Sequence, residues 1–142
     1  MSPDPCSRLP QSGPALLITE VVRSSVAEAQ CLGTVHADSA FRSPSPFGDE
    51  IPSFLTVEMG AQAAAMIQGI RGEQREARSG LVVSVRRAEF VAPRLSADLK
   101  FIVSVQEQAS APPCRVFDFE VSADQEVLSS GEVTIYQGEA HS

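Results

Sequence analysis

Glu58, Gln62 and His36 are the residues of this chain whose types and settings suit chemistry. Glu58 and Gln62 lie four apart in FLTVEMGAQAAAMIQGI (Phe54 to Ile70). Up to Ile67 the only polar side chains of this segment are Thr56, Glu58 and Gln62. On a helix, residues four apart stand one above the other on the same face. A carboxylate in such apolar company loses solvation, so its pKa is expected to rise unless a donor compensates. Two readings follow. In one, Glu58 bonds to backbone or to Gln62 and stabilises a dimer seam. In the other it lines an apolar slot and acts as a general acid or base, or holds a nucleophilic water.

His36 and His141 are the only histidines, and His141 belongs to the C-terminal tail. A lone histidine at a strand end is commonly incidental. His36 precedes the long loop that leads to the helix, however, so the chain could carry it near Glu58. No Ser-His-Asp or Cys-His arrangement and no phosphate-cradling glycine loop is legible. Cys6, Cys31 and Cys114 are widely separated, with no CxxC pair and no histidine at zinc spacing. They read as free thiols, with no metal site.

The elements that must position these groups follow from pattern. Residues 1–14 hold four prolines and read as an irregular lead-in. A single domain is expected over 15–138. ALLITEVV (15–22) is a strand, and AEAQCLGTVHA (27–37) pairs with it across a turn at 23–25. Residues 38–49 show neither period and form a long loop. Pro52 opens a helix, with Ser53, Asp49 or Glu50 serving its free amides. That helix is apolar nearly all round, so it is buried on most sides. Its Gly60, Ala61, Ala63, Ala64 and Ala65 permit close backbone approach. After a polar loop at 72–80 come four strands at 81–91, 99–108, 115–123 and 126–137. In the third, Phe117, Phe119 and Val121 share one face and Asp118 and Glu120 the other. Asp124 and Gln125 connect the last two strands. All four can pair by hairpins, which predicts an antiparallel sheet and an α+β fold.

Composition bounds the function. The 142 residues suit one domain, 43% are hydrophobic, and the net charge of −7 argues against nonspecific nucleic-acid binding. No run reaches the roughly 18 apolar residues of a membrane span, and no signal peptide is legible, which makes the cytoplasm the expected compartment. Between Arg71 and Lys100, seven basic residues stand against four acidic ones. This locally basic stretch suits an acidic partner or, equally, a solvated face.

Three segments resemble one family in order along the chain. LPQSGPALLITEVV resembles the opening of 3-hydroxyacyl-carrier-protein dehydratases. IPSFLTVEMGAQAAAM resembles their central helix, P-x-x-x-x-x-E-x-x-A-Q-A. SVRRAEFVAPRLSADLKFIVSV resembles the strand, turn and strand that follow. The flavour is that of the ApeP-like (aryl-polyene) branch, which also has a histidine placed like His36, and the likeness spans residues 9–137. It implies a hot-dog fold, an antiparallel sheet wrapped around one long central helix. It also implies a homodimer with joined sheets and an acyl chain carried on phosphopantetheine in a tunnel between subunits, with no separate cofactor. By the same resemblance a histidine abstracts the α-proton, the glutamate matching Glu58 helps expel the β-hydroxyl, and a helix-end amide polarises the thioester. Gln62 matches the family's glutamine, and Pro52 with Gln62 is expected to contact substrate.

The sequence departs from the fatty-acid enzymes in one respect. Their GHFP histidine falls in a stretch that here reads SPSPFGDEIP, and Gln11 stands where the opening motif usually has histidine. His36, 22 residues before Glu58, is the remaining candidate base. The leading expectation is therefore dehydration of 3-hydroxyacyl thioesters on an acyl carrier protein. His36 would be the base, Glu58 the acid, and Arg86 and Arg87 part of the carrier-docking surface. The alternatives are an acyl-thioester hydrolase in which Glu58 activates water, and a non-catalytic hot-dog subunit that pairs with an active dehydratase in a heterodimer.

Overall fold

The computed structural model describes residues 17–71 and 80–137, so the expected lead-in, Gln11, Cys6, Arg75, Arg78 and His141 lie outside the described residues. In chain order the elements are β1 (Ile18–Ser24), β2 (Glu28–Gly33), β3 (Glu50–Pro52), α1 (Leu55–Arg71), β4 (Gly80–Phe90), β5 (Arg94–Ser96), β6 (Phe101–Ala111), β7 (Cys114–Ala123) and β8 (Glu126–Gln137). Six strands form one antiparallel sheet in the order β1-β2-β6-β7-β8-β4, and β3 pairs with β5 in a separate two-stranded sheet. One long helix lying on a large antiparallel sheet is the architecture expected from the alternation of strands and the apolar helix.

Period-two alternation decides which face of the sheet is dry. Phe117, Phe119 and Val121 on β7 are buried together with Val103, Val105 and Phe101 on β6 and Val133 and Ile135 on β8. Full burial of each such side chain favours folding by about 1.5–3 kcal/mol before entropy is counted. The helix meets this face through Gly60, where an added Cβ would stand 2.9 Å from the Cβ of Phe119. Asp124 and Gln125 both adopt positive φ, at 52° and 66°. That is the backbone of the tight turn whose twist suits the β7–β8 hairpin.

Three expectations need correction. First, Pro52 does not open the helix: it ends β3, in register with Arg94, and the helix begins at Leu55. Second, the groups expected to serve the helix amides are used elsewhere. Ser53 donates its hydroxyl to the Ala92 carbonyl, Asp49 accepts from Arg42, and Glu50 accepts from Arg94. Third, β4 does not pair by hairpin with the strand that follows it. It crosses to the far edge and pairs with β8, while β2 takes the place beside β6. Alternation fixes the face a strand buries but not its neighbour, and β5 with its flanking turns spends the residues needed for the crossing.

Candidate active site

Glu58 sits in the first turns of α1, and its place on the helix follows from what the neighbouring residues touch. Gly60 points at Phe119 in the middle of the sheet. Met59 approaches Gly33 at the end of β2, and Gln62 reaches β1, so that flank faces the first two strands. The remaining stripe is Phe54, Val57, Glu58 and Ala65. Phe54 is exposed and the other three are half-buried, and Ala61 between them is nearly closed off. Glu58 thus stands one turn before Gln62, on the helix side turned away from the Gly60–Phe119 contact, among apolar or small neighbours. On the sheet, Val85 and Phe90 of the edge strand β4 are also large apolar side chains left open, at 43% and 39% exposure. β4 is the last strand of the sheet, and among the described residues none pairs with its outer edge.

Gln62, expected at the substrate, is buried and carries a structural load. Its Oε1 accepts the backbone amides of Leu17 at 2.8 Å and Ile18 at 3.3 Å. Leu17 in turn accepts the amide of Thr34 at 2.9 Å. A continuous path thus runs from the helix turn beside Glu58, through the start of β1, to the segment that precedes His36. Pro52, the other expected contact, is half-buried in β3.

His36 follows β2 in an exposed turn, with about half of its side chain open. Its Nδ1 accepts the backbone N–H of Asp38 at 3.0 Å, and its carbonyl accepts the amide of Ser39 at 2.9 Å. The turn is held by Arg42, a residue that sequence reasoning passed over. Arg42 Nε donates to the His36 carbonyl at 3.0 Å. Nη2 donates to the carbonyls of Val35 (2.8 Å) and Ala97 (3.4 Å), and Nη1 to Asp49 (3.3 Å) and Asp98 (2.9 Å). All five guanidinium donors are engaged, which only the rigid arginine fork permits. The pKa of Arg42 is raised, chiefly by the bond to Asp98. Nothing in the local sequence marks this residue, because its partners come from three separate segments.

A second unforeseen cluster fixes the helix start. Ser129 on β8 donates its hydroxyl to Thr56 Oγ1 at 2.7 Å, and Thr56 donates to the Ser53 carbonyl at 2.7 Å. All three residues are buried. The first turn of α1 is thereby tied to the strand beside β4.

Arg86 and Arg87, expected at a carrier surface, lie on β4 with 70% of each side chain exposed. Both turn toward Glu132, at 3.9 Å and 2.9 Å. Arg87 has φ of 55° at a register shift in the β4–β8 pairing, a rare backbone for a side-chain-bearing residue. Separately, a cavity of about 710 Å³ lies on the sheet face away from the helix, lined by residues such as Gln30, Ser104, Glu120 and Ser130. Neither His36 nor Glu58 lines it. Among the described residues no group of acidic, histidine or cysteine side chains is placed to hold a metal ion, and no helix is long and apolar enough to cross a membrane.

Comparison with known proteins gives this geometry a setting. The family model of ApeP-like proteins, described as ApeP dehydratase, matches residues 3–142. No curated protein matches significantly. Among solved structures, the dehydratase heterocomplex ApeI:P from Xenorhabdus doucetiae is similar with a TM-score of 0.79 and 21% identity, over 99% of this chain and 94% of that one. A hypothetical thioesterase from Streptococcus pneumoniae TIGR4, solved with coenzyme A, has a TM-score of 0.62 and 10% identity over 87% and 88% of the two chains. A mutant form of the thioesterase SAV0944 from Staphylococcus aureus subsp. aureus Mu50 has a TM-score of 0.62 and 11% identity over 84% and 93%. At these identities the structural likenesses establish the fold, which is the hot-dog fold.

Proposed function

Because the chain belongs to the ApeP-like dehydratase family, we propose that it takes part in dehydrating 3-hydroxyacyl thioesters carried on an acyl carrier protein. The observation that supports this most is the position of Glu58. It is a half-buried carboxylate among apolar and small side chains, partly shielded from water yet still within reach of a ligand. There it suits a proton donor to a departing β-hydroxyl, with the acyl chain lying along Val57, Ala61 and Ala65.

The site is completed by a second hot-dog subunit. Phe54 at the head of the Glu58 stripe is exposed, and among the described residues none pairs with the outer edge of β4. An 11-residue edge strand with open apolar side chains is a natural surface for strand addition. Joining a second sheet there would roof the stripe and exclude water. A copy of this chain is one such subunit. The similar structure from Xenorhabdus doucetiae is a heterocomplex, which favours a different hot-dog dehydratase chain as the other.

Offering 3-hydroxyacyl and saturated acyl thioesters on a phosphopantetheine carrier separates the readings. The chain is assayed alone and together with a hot-dog dehydratase partner. Enoyl thioester as the product supports dehydration. Free thiol from either substrate, without enoyl product, replaces it with hydrolysis.

A further inference from the structure

We infer that the hairpin arm tipped by Phe47 is a subunit contact, and that it docks on the Val85–Phe90 edge of a second copy of this chain. The inference rests on the reading above only in taking β4 as the edge that meets another subunit. Phe47 is 98% exposed, so its ring makes almost no contact within its own protomer. Leaving such a ring in water forgoes about 1.5–3 kcal/mol of burial.

The backbone beneath the ring is nevertheless firmly tied. Ser43 and Glu50 exchange both amide–carbonyl bonds at 2.8 Å, and Glu50 continues into β3. At the tip Gly48 donates its amide to the Ser45 carbonyl at 3.2 Å, and the Ser45 hydroxyl donates to the Gly48 carbonyl at 2.5 Å. Gly48, with φ of 115°, supplies the left-handed backbone that this turn requires. The Asp49 carboxylate is held by Arg42, and its carbonyl accepts the amide of Ala97. The arm therefore has little backbone freedom left to lose on contact, which suits an aromatic anchor.

The complementary surface lies on β4. Val85 stands opposite Val133 and Phe90 opposite Ser129, and both of those residues are buried on the helix side of the sheet. Five residues apart, Val85 and Phe90 would occupy opposite faces of a regular strand. The pairing slips by one residue between Arg86 and Glu89, where Arg87 takes its positive φ, and this returns Phe90 to the face of Val85. The bulge thus sets two open apolar side chains on one side of the edge. Charge favours the same match. Asp38, Asp49, Glu50 and Asp98 lie at or beneath the arm against Arg42 and Arg94, and Asp98 comes closest to the tip at Gly48. On β4, Arg86 and Arg87 share the single acid Glu132. An acidic arm therefore meets a basic edge, whereas an acidic carrier protein would be repelled at the arm. A second copy offers both surfaces, and a two-fold axis lets each protomer give its arm and receive the other.

Sedimentation equilibrium of the full chain and site-specific cross-linking test the contact. Phe47→Ser is expected to weaken self-association by about 10–100-fold, as for an anchor residue, while Phe47→Leu stays close to wild type. Both variants should keep the wild-type circular dichroism, because the ring is exposed in the protomer. Val85→Ser is expected to weaken association likewise. The double variant should lose less than the two singles together, since both remove one contact. With Phe47 replaced by benzoylphenylalanine in mixed ¹⁴N and ¹⁵N protein, hybrid-isotope cross-links into residues 84–91 are expected. A monomeric wild type, unchanged association in Phe47→Ser, or cross-links elsewhere overturns the inference. None of these readings depends on turnover. An active protein whose Phe47 stays free refutes the contact alone, and a dimer that yields no enoyl product, alone or with a partner, refutes the dehydratase reading alone.

Discussion

Gly60 lies so close to Phe119 that a single added carbon would stand 2.9 Å from the phenylalanine Cβ. The contact fixes the height of α1 above β7, and with it the depth at which Glu58 sits on the far side of the helix. Gly60→Ala gains about 1 kcal/mol of helix propensity. It meets an overpacking cost of about 1–3 kcal/mol against an atom that cannot swing aside. A net loss of stability by about 1–2 kcal/mol is expected in denaturant unfolding. With Phe119→Leu as background the shortfall should persist, because Cβ itself is the obstacle.

Gln62 supplies one oxygen to two buried amides, those of Leu17 and Ile18. Gln62→Ala leaves both amides without that acceptor, at a cost of about 1–3 kcal/mol. The loss should be local, with amide exchange rising first in residues 17–24 and 34–36. Gln62→Glu keeps the acceptor and should preserve the protection of β1 while perturbing the site beside it.

Replacing Glu58 with glutamine keeps shape and removes the exchangeable acid. Dehydration should fall by about 10²–10⁴-fold in Glu58→Gln, the usual range for loss of a general acid or base. Unfolding stability should change by less than about 1 kcal/mol. Full activity in Glu58→Gln would instead place the chemistry in a partner subunit and leave this chain as its structural companion.

Arg42 tests whether the histidine turn depends on the guanidinium fork or only on a positive charge. Lysine brings three donors from one atom and cannot span Val35, Ala97 and the two carboxylates together. Arg42→Lys should cost about 1–3 kcal/mol of stability, and limited proteolysis should cut first within residues 36–50. Because the pKa of Arg42 is raised, the clamp stays charged until pH rises beyond an ordinary guanidinium's value. Proteolytic protection of the wild type should accordingly not vary with the charge of Arg42 at any working pH.

Arg86 and Arg87 offer exposed positive charge beside the open edge. Carrier proteins of this kind are acidic, so reversing both charges should weaken carrier binding, and more so at low salt. Surface plasmon resonance of Arg86→Glu/Arg87→Glu against a phosphopantetheinylated carrier checks this. Unchanged binding at low salt would remove the docking role. Stability should move by no more than about 1 kcal/mol, since the pairs with Glu132 are exposed on the arginine side.

Much of this protein was legible in one dimension. The apolar run from Phe54 to Ile70 implied a buried helix, and the alternation of Phe117, Phe119 and Val121 with Asp118 and Glu120 assigned the faces of β7. The isolated acid in that helix singled out Glu58. These features are local: side-chain period and burial are coupled within a few residues of each other. Sequence also led to His36, but not to Arg42, whose bonds to the carbonyls of Val35 and His36 hold the turn.

What tertiary structure decided is everything that joins distant segments. β4 took β8 as its neighbour, Pro52 was drawn into β3 against Arg94, and Ser129 met Thr56 across 73 positions of chain. Arg42 found its acceptors at Val35, Asp49 and Asp98. No pattern in the neighbouring residues encodes such meetings, because each is selected by the free energy of the whole packed arrangement. A strand's alternation is satisfied by many partners, and a guanidinium by any set of oxygens in the right plane. With the helix seated on Phe119, the observed combination of edges and turns buries the core on one face of the sheet.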